Sequence, residues 1–174
     1  MATQKGLVHV YTGDGKGKTT AAIGLGIRAV GAGLRVHMIQ FMKGRRYSEI
    51  DAIEKIPGFT VIQFGRDEFV SKKKPEQIDI DLAQKGLAHA REVLRKHEYD
   101  VVILDEISVA VDYDLISVTD VLNLIAMKPD PMELILTGRY ARPEVVEKAD
   151  LVSEVLEIKH PYQKGVPCRK GIDW

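Results

Sequence analysis

The stretch Thr12-Gly13-Asp14-Gly15-Lys16-Gly17-Lys18-Thr19-Thr20 limits what this chain can fold into more than any other part of it. It follows an apolar run and opens a segment of helical period, so the glycines sit at a strand-to-helix junction. Without a Cβ, glycine lets the backbone turn tightly and point successive N–H groups at one anion. The helix N-terminus behind the turn adds unpaired donors and a partial positive charge. Lys18 is then placed to reach phosphate oxygens and the Thr19 hydroxyl to bind a magnesium ion, which together make a cradle for the triphosphate of ATP. The spacing departs from the usual Gly-x-x-x-x-Gly-Lys-Ser/Thr at one point: Thr12 stands at the first glycine position, with Gly13 following.

A second segment supports the first. Val101-Val102-Ile103-Leu104-Asp105-Glu106 reads as a buried strand tipped by two carboxylates, the form of a Walker B element. Acids at the end of such a strand need a cation or a hydrogen-bond donor to offset desolvation. A magnesium ion near Asp105 or Glu106 meets that need, and so does a salt bridge or a loop cap.

Around these motifs, short β-rich runs alternate with longer segments of helical period, the pattern of a parallel sheet flanked by helices. Strands are expected over 7–11, 35–41, 60–64, 101–104, 133–137 and 154–158, and helices over 18–32, 47–55, 77–97, 117–127 and 143–149. Ile80, Ala83, Leu87, Ala90 and Leu94 form one apolar stripe on the third helix. Ser117 and Asp120 stand in capping-box positions on the fourth. With 174 residues and no linker or repeat, the fold class is α/β, a single P-loop NTPase domain over 1–174 with a RecA-like parallel sheet.

Charge and cysteine usage exclude several classes. Lysine and arginine number 25 against 25 acids, so overall charge gives no support to nucleic-acid or membrane-surface binding. Cys168 is the single cysteine, which rules out an internal disulfide and a cysteine-rich metal site. No apolar run reaches the ~20 residues of a membrane span, and Met1-Ala2-Thr3-Gln4-Lys5 is no signal peptide, so a cytoplasmic location is expected.

Beyond these signals, residues 6–174 resemble one family, the ATP:corrinoid adenosyltransferases that make adenosylcobalamin in biosynthesis or salvage. The motifs that carry the resemblance are the loop with Ala21-Ala22, Arg28-Ala29-Val30-Gly31, Gln40-Phe41-Met42-Lys43-Gly44, Val102 to Glu106, Leu136-Thr137-Gly138-Arg139, Ala149 to Glu154, Lys159-His160 and Lys170-Gly171-Ile172-Asp173-Trp174. Each is weak alone, but their order and spacing together are specific. The family reads Gly-Asn/Asp-Gly-Lys-Gly-Lys-Thr-Thr, which absorbs the shortened loop spacing.

The resemblance implies that the 5′-deoxyadenosyl group of ATP passes to the Co(I) of a corrinoid, cobalamin or cobinamide, with release of triphosphate. It places Gly13, Asp14, Gly15, Lys16, Gly17, Lys18, Thr19 and Thr20 on the triphosphate. Thr19 and Glu106, with Asp105 as a further or outer ligand, would hold Mg2+ or Mn2+. Lys18, Thr19 and Glu106 carry the catalytic role, and Arg28 and Arg139 add phosphate or ribose contacts. A homodimer and a flavoprotein reductase as electron donor are also implied.

The loop 65–76 is expected to meet the corrin. Phe69 either presses on the corrin face or anchors the loop on the core, and Phe69-Val70-Ser71 stands where the family carries Phe-Thr-Trp. Lys72, Lys73 and Lys74 read as a solvated run, and His9, His37, His89 and His97 as structural. Trp174 is read as packing near the nucleotide or anchoring the tail. Two rival readings are a nucleoside kinase and a non-catalytic, nucleotide-dependent corrinoid-binding protein.

Overall fold

A computed structural model describes residues 5–173, so the expectations for the first four residues and for Trp174 lie outside it. In chain order the elements are β1 (Val8–Thr12), α1 (Lys18–Gly31), β2 (Val36–Phe41), α2 (Ser48–Ile53), β3 (Phe59–Phe64), α3 (Gln77–Lys96), β4 (Val101–Asp105), α4 (Ile107–Asp112), α5 (Val118–Met127), β5 (Glu133–Thr137), α6 (Pro143–Lys148) and β6 (Leu151–Glu154). A short 3-10 turn, Pro161–Lys164, follows. The strands form one sheet in the order β3-β2-β4-β5-β1-β6, with every pairing parallel. All carboxyl ends therefore share one edge, where open α/β sheets bind their ligands.

Alternation along the strands divides the core in two. Val102 and Leu104 of β4 join Ile39, Phe41, Leu134 and Leu136 in a cluster with Leu87, Leu94, Val121 and Leu124 of α3 and α5. Val101 and Ile103 point the other way, with Val36, Met38 and Ile135, onto Ala22 and Ala29 of α1. The same parity has a consequence at the strand ends. Gln40, Asp105 and Thr137 continue the alternation that faces α1, and all three are fully buried.

The expected helices and five of the six strands form within two residues of the bounds read from sequence, while the last strand ends where it was expected to begin. Leu151–Glu154 pairs with β1, and the apolar run after it leaves the sheet. Helix α4 has no counterpart among the expected elements: Glu106 adopts a left-handed conformation (φ 61°) and starts it directly off β4. Ser117 caps α5 by accepting from the Asp120 amide at 3.1 Å. A reciprocal capping box between Glu76 and Asp79 opens α3.

His37 accepts or donates to Thr60 (2.7 Å) and His89 (3.0 Å), as a structural role requires, and His97 takes the left-handed cap position of α3. His9 departs from that expectation in part. One ring nitrogen meets Glu133 at 3.0 Å, and its buried Nδ1 has no hydrogen-bond partner.

Candidate active site

The glycine-rich loop joins β1 to α1 at the carboxyl edge of the sheet. Gly17, at φ 123°, takes a backbone conformation that side chains rarely adopt, and it starts α1 with no side-chain cap and no acid in the first turn. The first N–H groups of the helix are thereby left to face a cleft of about 730 Å³. Its walls include Gly15, Lys16, Gly17, Lys18, Thr19 and Thr20 from the loop, Glu106 from the end of β4 and Arg139 from the end of β5. Gly138 (φ 132°) turns the chain there, where a Cβ would come within 3.0 Å of Ser108, so Arg139 follows directly at the cleft.

Lys18 is only 8% exposed, and its ammonium donates to the Gly15 carbonyl. Burial depresses its pKa, against the opposing pull of Glu106. Glu106 moves the other way: burial, then the adjacent Asp105 charge, raises its carboxyl above the ordinary range, opposed by Lys43, Lys18 and Arg139.

Asp105 is the buried centre of the floor. Its Oδ1 accepts from Thr19 Oγ1 (2.8 Å) and Thr137 Oγ1 (2.7 Å), and its Oδ2 from Lys43 Nζ (2.8 Å) and Gln40 Nε2 (3.1 Å). Burial acts to raise its pKa, but the Lys43 charge and these hydrogen bonds outweigh it, and the carboxylate stays ionised. Lys43 mirrors this, as burial acts to lower its pKa and Asp105 and Glu106 carry it upward. Thr137 also accepts from the Glu106 amide at 3.0 Å and so helps hold the turn that aims Glu106.

Sequence reasoning therefore missed Lys43, Gln40 and Thr137 as members of the site, although all three lie in segments it had singled out. Strand parity was the signal that could have found Gln40 and Thr137. Arg28 does not join the group. It stands exposed in the last turn of α1, ten residues and about 15 Å of helix rise beyond Lys18. Gly13 and Asp14 do not line the cleft, and Gly13 lies instead against the Val155 backbone.

A smaller hollow of about 120 Å³ adjoins the cleft, lined in part by Met42, Arg66, Phe69, Val70 and Tyr113. Phe69 is 94% exposed, so it does not anchor its loop on the core. Val70 packs there instead, and Arg66 ties the loop to Asp79 at 2.8 Å. Lys72 is not simply solvated, since it pairs with Asp112 at 2.6 Å. The cleft and the hollow share two wall residues, Lys43 and Tyr47.

Essentially the whole chain, residues 4–174, matches the family model described as ATP:corrinoid adenosyltransferase BtuR/CobO/CobP. The chain belongs to the ATP:corrinoid adenosyltransferase family. Among adenosyltransferase relatives, a corrinoid adenosyltransferase of Sinorhizobium sp is 37% identical over 181 residues, covering 100% of this chain and 84% of the relative. One from Escherichia coli (strain K12) is 34% identical, covering 98% of this chain and 87% of its own length. Among solved structures, the KaiC-like protein PH0186 from Pyrococcus horikoshii OT3 superposes with a TM-score of 0.53 at 19% identity, covering 84% of this chain and 71% of that one. That last likeness bears on the fold alone, which is a P-loop α/β fold of the RecA kind.

Proposed function

We propose that the cleft binds ATP and that the enzyme transfers its 5′-deoxyadenosyl group to the Co(I) centre of a corrinoid lying over Phe69. The observation that carries this reading is the shared wall: Lys43 and Tyr47 border both the phosphate-loop cleft and the Phe69 hollow. A group can pass between ligands in adjoining sites without crossing solvent.

The electron pair of Co(I) forms the bond to the ribose 5′ carbon, and the carbon–oxygen pair leaves with triphosphate. No proton is removed, so the site needs no general base. Charge grows on the departing triphosphate, and Lys18 and the first residues of α1 line the cleft that would receive it. Arg139, which also lines the cleft, adds positive charge.

The donor set fits a magnesium or manganese ion. Thr19 and Glu106 line the cleft, whereas Asp105 is committed to four internal donors and acts behind them. Few protein ligands suit Mg2+, which keeps water and phosphate oxygens in its shell, and among the described residues no cluster of three or more histidine, cysteine or acidic side chains competes for it. Bound there, the ion would neutralise charge on the leaving triphosphate.

A homodimer, a flavoprotein electron donor and a cytoplasmic location complete the proposal on family resemblance. Among the described residues no helix is long and apolar enough to cross a membrane. Product analysis separates this reading from a nucleoside kinase or a binding protein. With ATP, Mg2+ and a reduced corrinoid the enzyme should release triphosphate, whereas ADP, or no turnover, would contradict it.

A further inference from the structure

After β6 the chain does not end in solvent. It crosses the phosphate loop, runs on through 155–173 and returns to the cleft. The crossing is close. The Val155 amide donates to the Thr12 carbonyl (2.8 Å), and the Gly15 amide donates to the Val155 carbonyl (2.7 Å). A Cβ on Gly13 would stand 2.5 Å from the Val155 oxygen, and one on Gly15 would stand 2.6 Å from the Leu156 oxygen. These two glycines are thus required by the passing chain as well as by any phosphate, and the Gly15 amide is spent on it.

The far end is fastened too. Lys16 Nζ donates to the Ile172 carbonyl at 2.8 Å and pairs with the Asp173 carboxylate. Asp173, its side chain 16% exposed, also accepts from the Arg169 amide (2.8 Å) and Arg169 Nε (3.2 Å). Between the fastenings, His160, Cys168 and Ile172 line the same cleft as Lys18 and Glu106. A bare carboxylate beside the cleft would repel a triphosphate, but Lys16 and Arg169 match this one.

We propose that the segment 155–173 is a strap forming one wall of the nucleotide site, and that Lys16 and Asp173 are positioning residues that hold it closed. Lys16 acts by fastening the strap and does not bind phosphate itself. This rests on the nucleotide reading of the cleft.

The test uses the full chain as wild type, Lys16→Met, Asp173→Asn and the double variant Lys16→Met with Asp173→Asn. ATP binding is followed by calorimetry, and tryptic cleavage after Lys164, Arg169 and Lys170 by mass spectrometry, with and without ATP. Each single variant should weaken ATP binding roughly three- to tenfold, the range for a partly exposed charge pair. Each should also speed cleavage of the strap, and ATP should slow that cleavage in the wild type. The double variant should lose no more than about the larger single loss, because both substitutions break the same fastening.

If Asp173→Asn leaves ATP binding unchanged or tightens it while Lys16→Met weakens it, Lys16 is a phosphate ligand and the strap proposal is overturned. Fully additive losses in the double variant, or strap cleavage indifferent to ATP and to both substitutions, overturn it equally. A wild type that binds no ATP would instead sink the nucleotide reading beneath it.

Discussion

Lys43 Nζ lies 2.8 Å from Asp105 Oδ2, an ammonium from the end of β2 set against a carboxylate with no exposed surface at the end of β4. The pair joins neighbouring strands, and the same ammonium lies 3.4 Å from Thr19 Oγ1. Removing one partner leaves the other charge buried and unmatched, which costs about 3–5 kcal/mol. Lys43→Met should therefore lower the melting temperature by roughly 6 °C or more in a chain of this size. The double variant Lys43→Met with Asp105→Asn should regain most of that loss, as thermal denaturation followed by circular dichroism would reveal. Equal melting of the single and double variants would show that the pair is not the source.

Glu106 stands one residue further on and does a different job. Its left-handed backbone costs roughly 1–2 kcal/mol, and burial beside Asp105 disfavours its charge. Glu106→Gln should leave the melting temperature unchanged or higher, yet raise the Mg2+ concentration needed for half-maximal activity by about tenfold. A metal titration at saturating ATP measures this, and an unchanged midpoint would remove Glu106 from the metal site.

Much of the site was legible because its parts are local. The loop, the β4 acids and Arg139 each sit where a strand ends, and apolar runs mark strand ends well. What escaped was set by neighbours in space. Lys43 gains its meaning only from the parallel pairing that puts Gln40 beside Asp105. The run Ile107 to Val111 is rich in β-branched residues and looks like more strand, but the turn at Glu106 makes it a helix. The apolar stretch after Glu154 resembles a strand for the same compositional reason. Its register partner, β1, is already used up, as the last pair joins Thr12 to Glu154.

Acid should destabilise the fold through His37. Burial, then the charge of neighbouring His89, holds its pKa at about 4, against 6.5 for a free imidazole. Below pH 6.5 the unfolded chain takes up a proton that the folded chain refuses, so stability falls as pH drops from 6.5 toward 4. The loss totals about 3 kcal/mol when complete. Between pH 7 and pH 4.5 the wild type should lose about 5 °C more in melting temperature than His37→Gln. Parallel curves would contradict this.

Helix α1 offers a sign test of packing. Gly24 has nothing within 4 Å of an added Cβ, so Gly24→Ala should gain about 0.5–1 kcal/mol of helix propensity. Two residues on, a Cβ at Gly26 would come within 2.6 Å of the buried Phe59 ring. There the overpacking cost of about 1–3 kcal/mol exceeds the same propensity gain. Urea midpoints should move in opposite directions for the two substitutions.

The most direct test of the account is to mix the enzyme with ATP, Mg2+ and chemically reduced cobalamin and follow the Co(I) absorbance. The account predicts that the Co(I) spectrum disappears, with one triphosphate formed per cobalt consumed, and that Lys18→Ala slows this by about one to two powers of ten. A persistent Co(I) spectrum in the wild type, or full activity in Lys18→Ala, would contradict it.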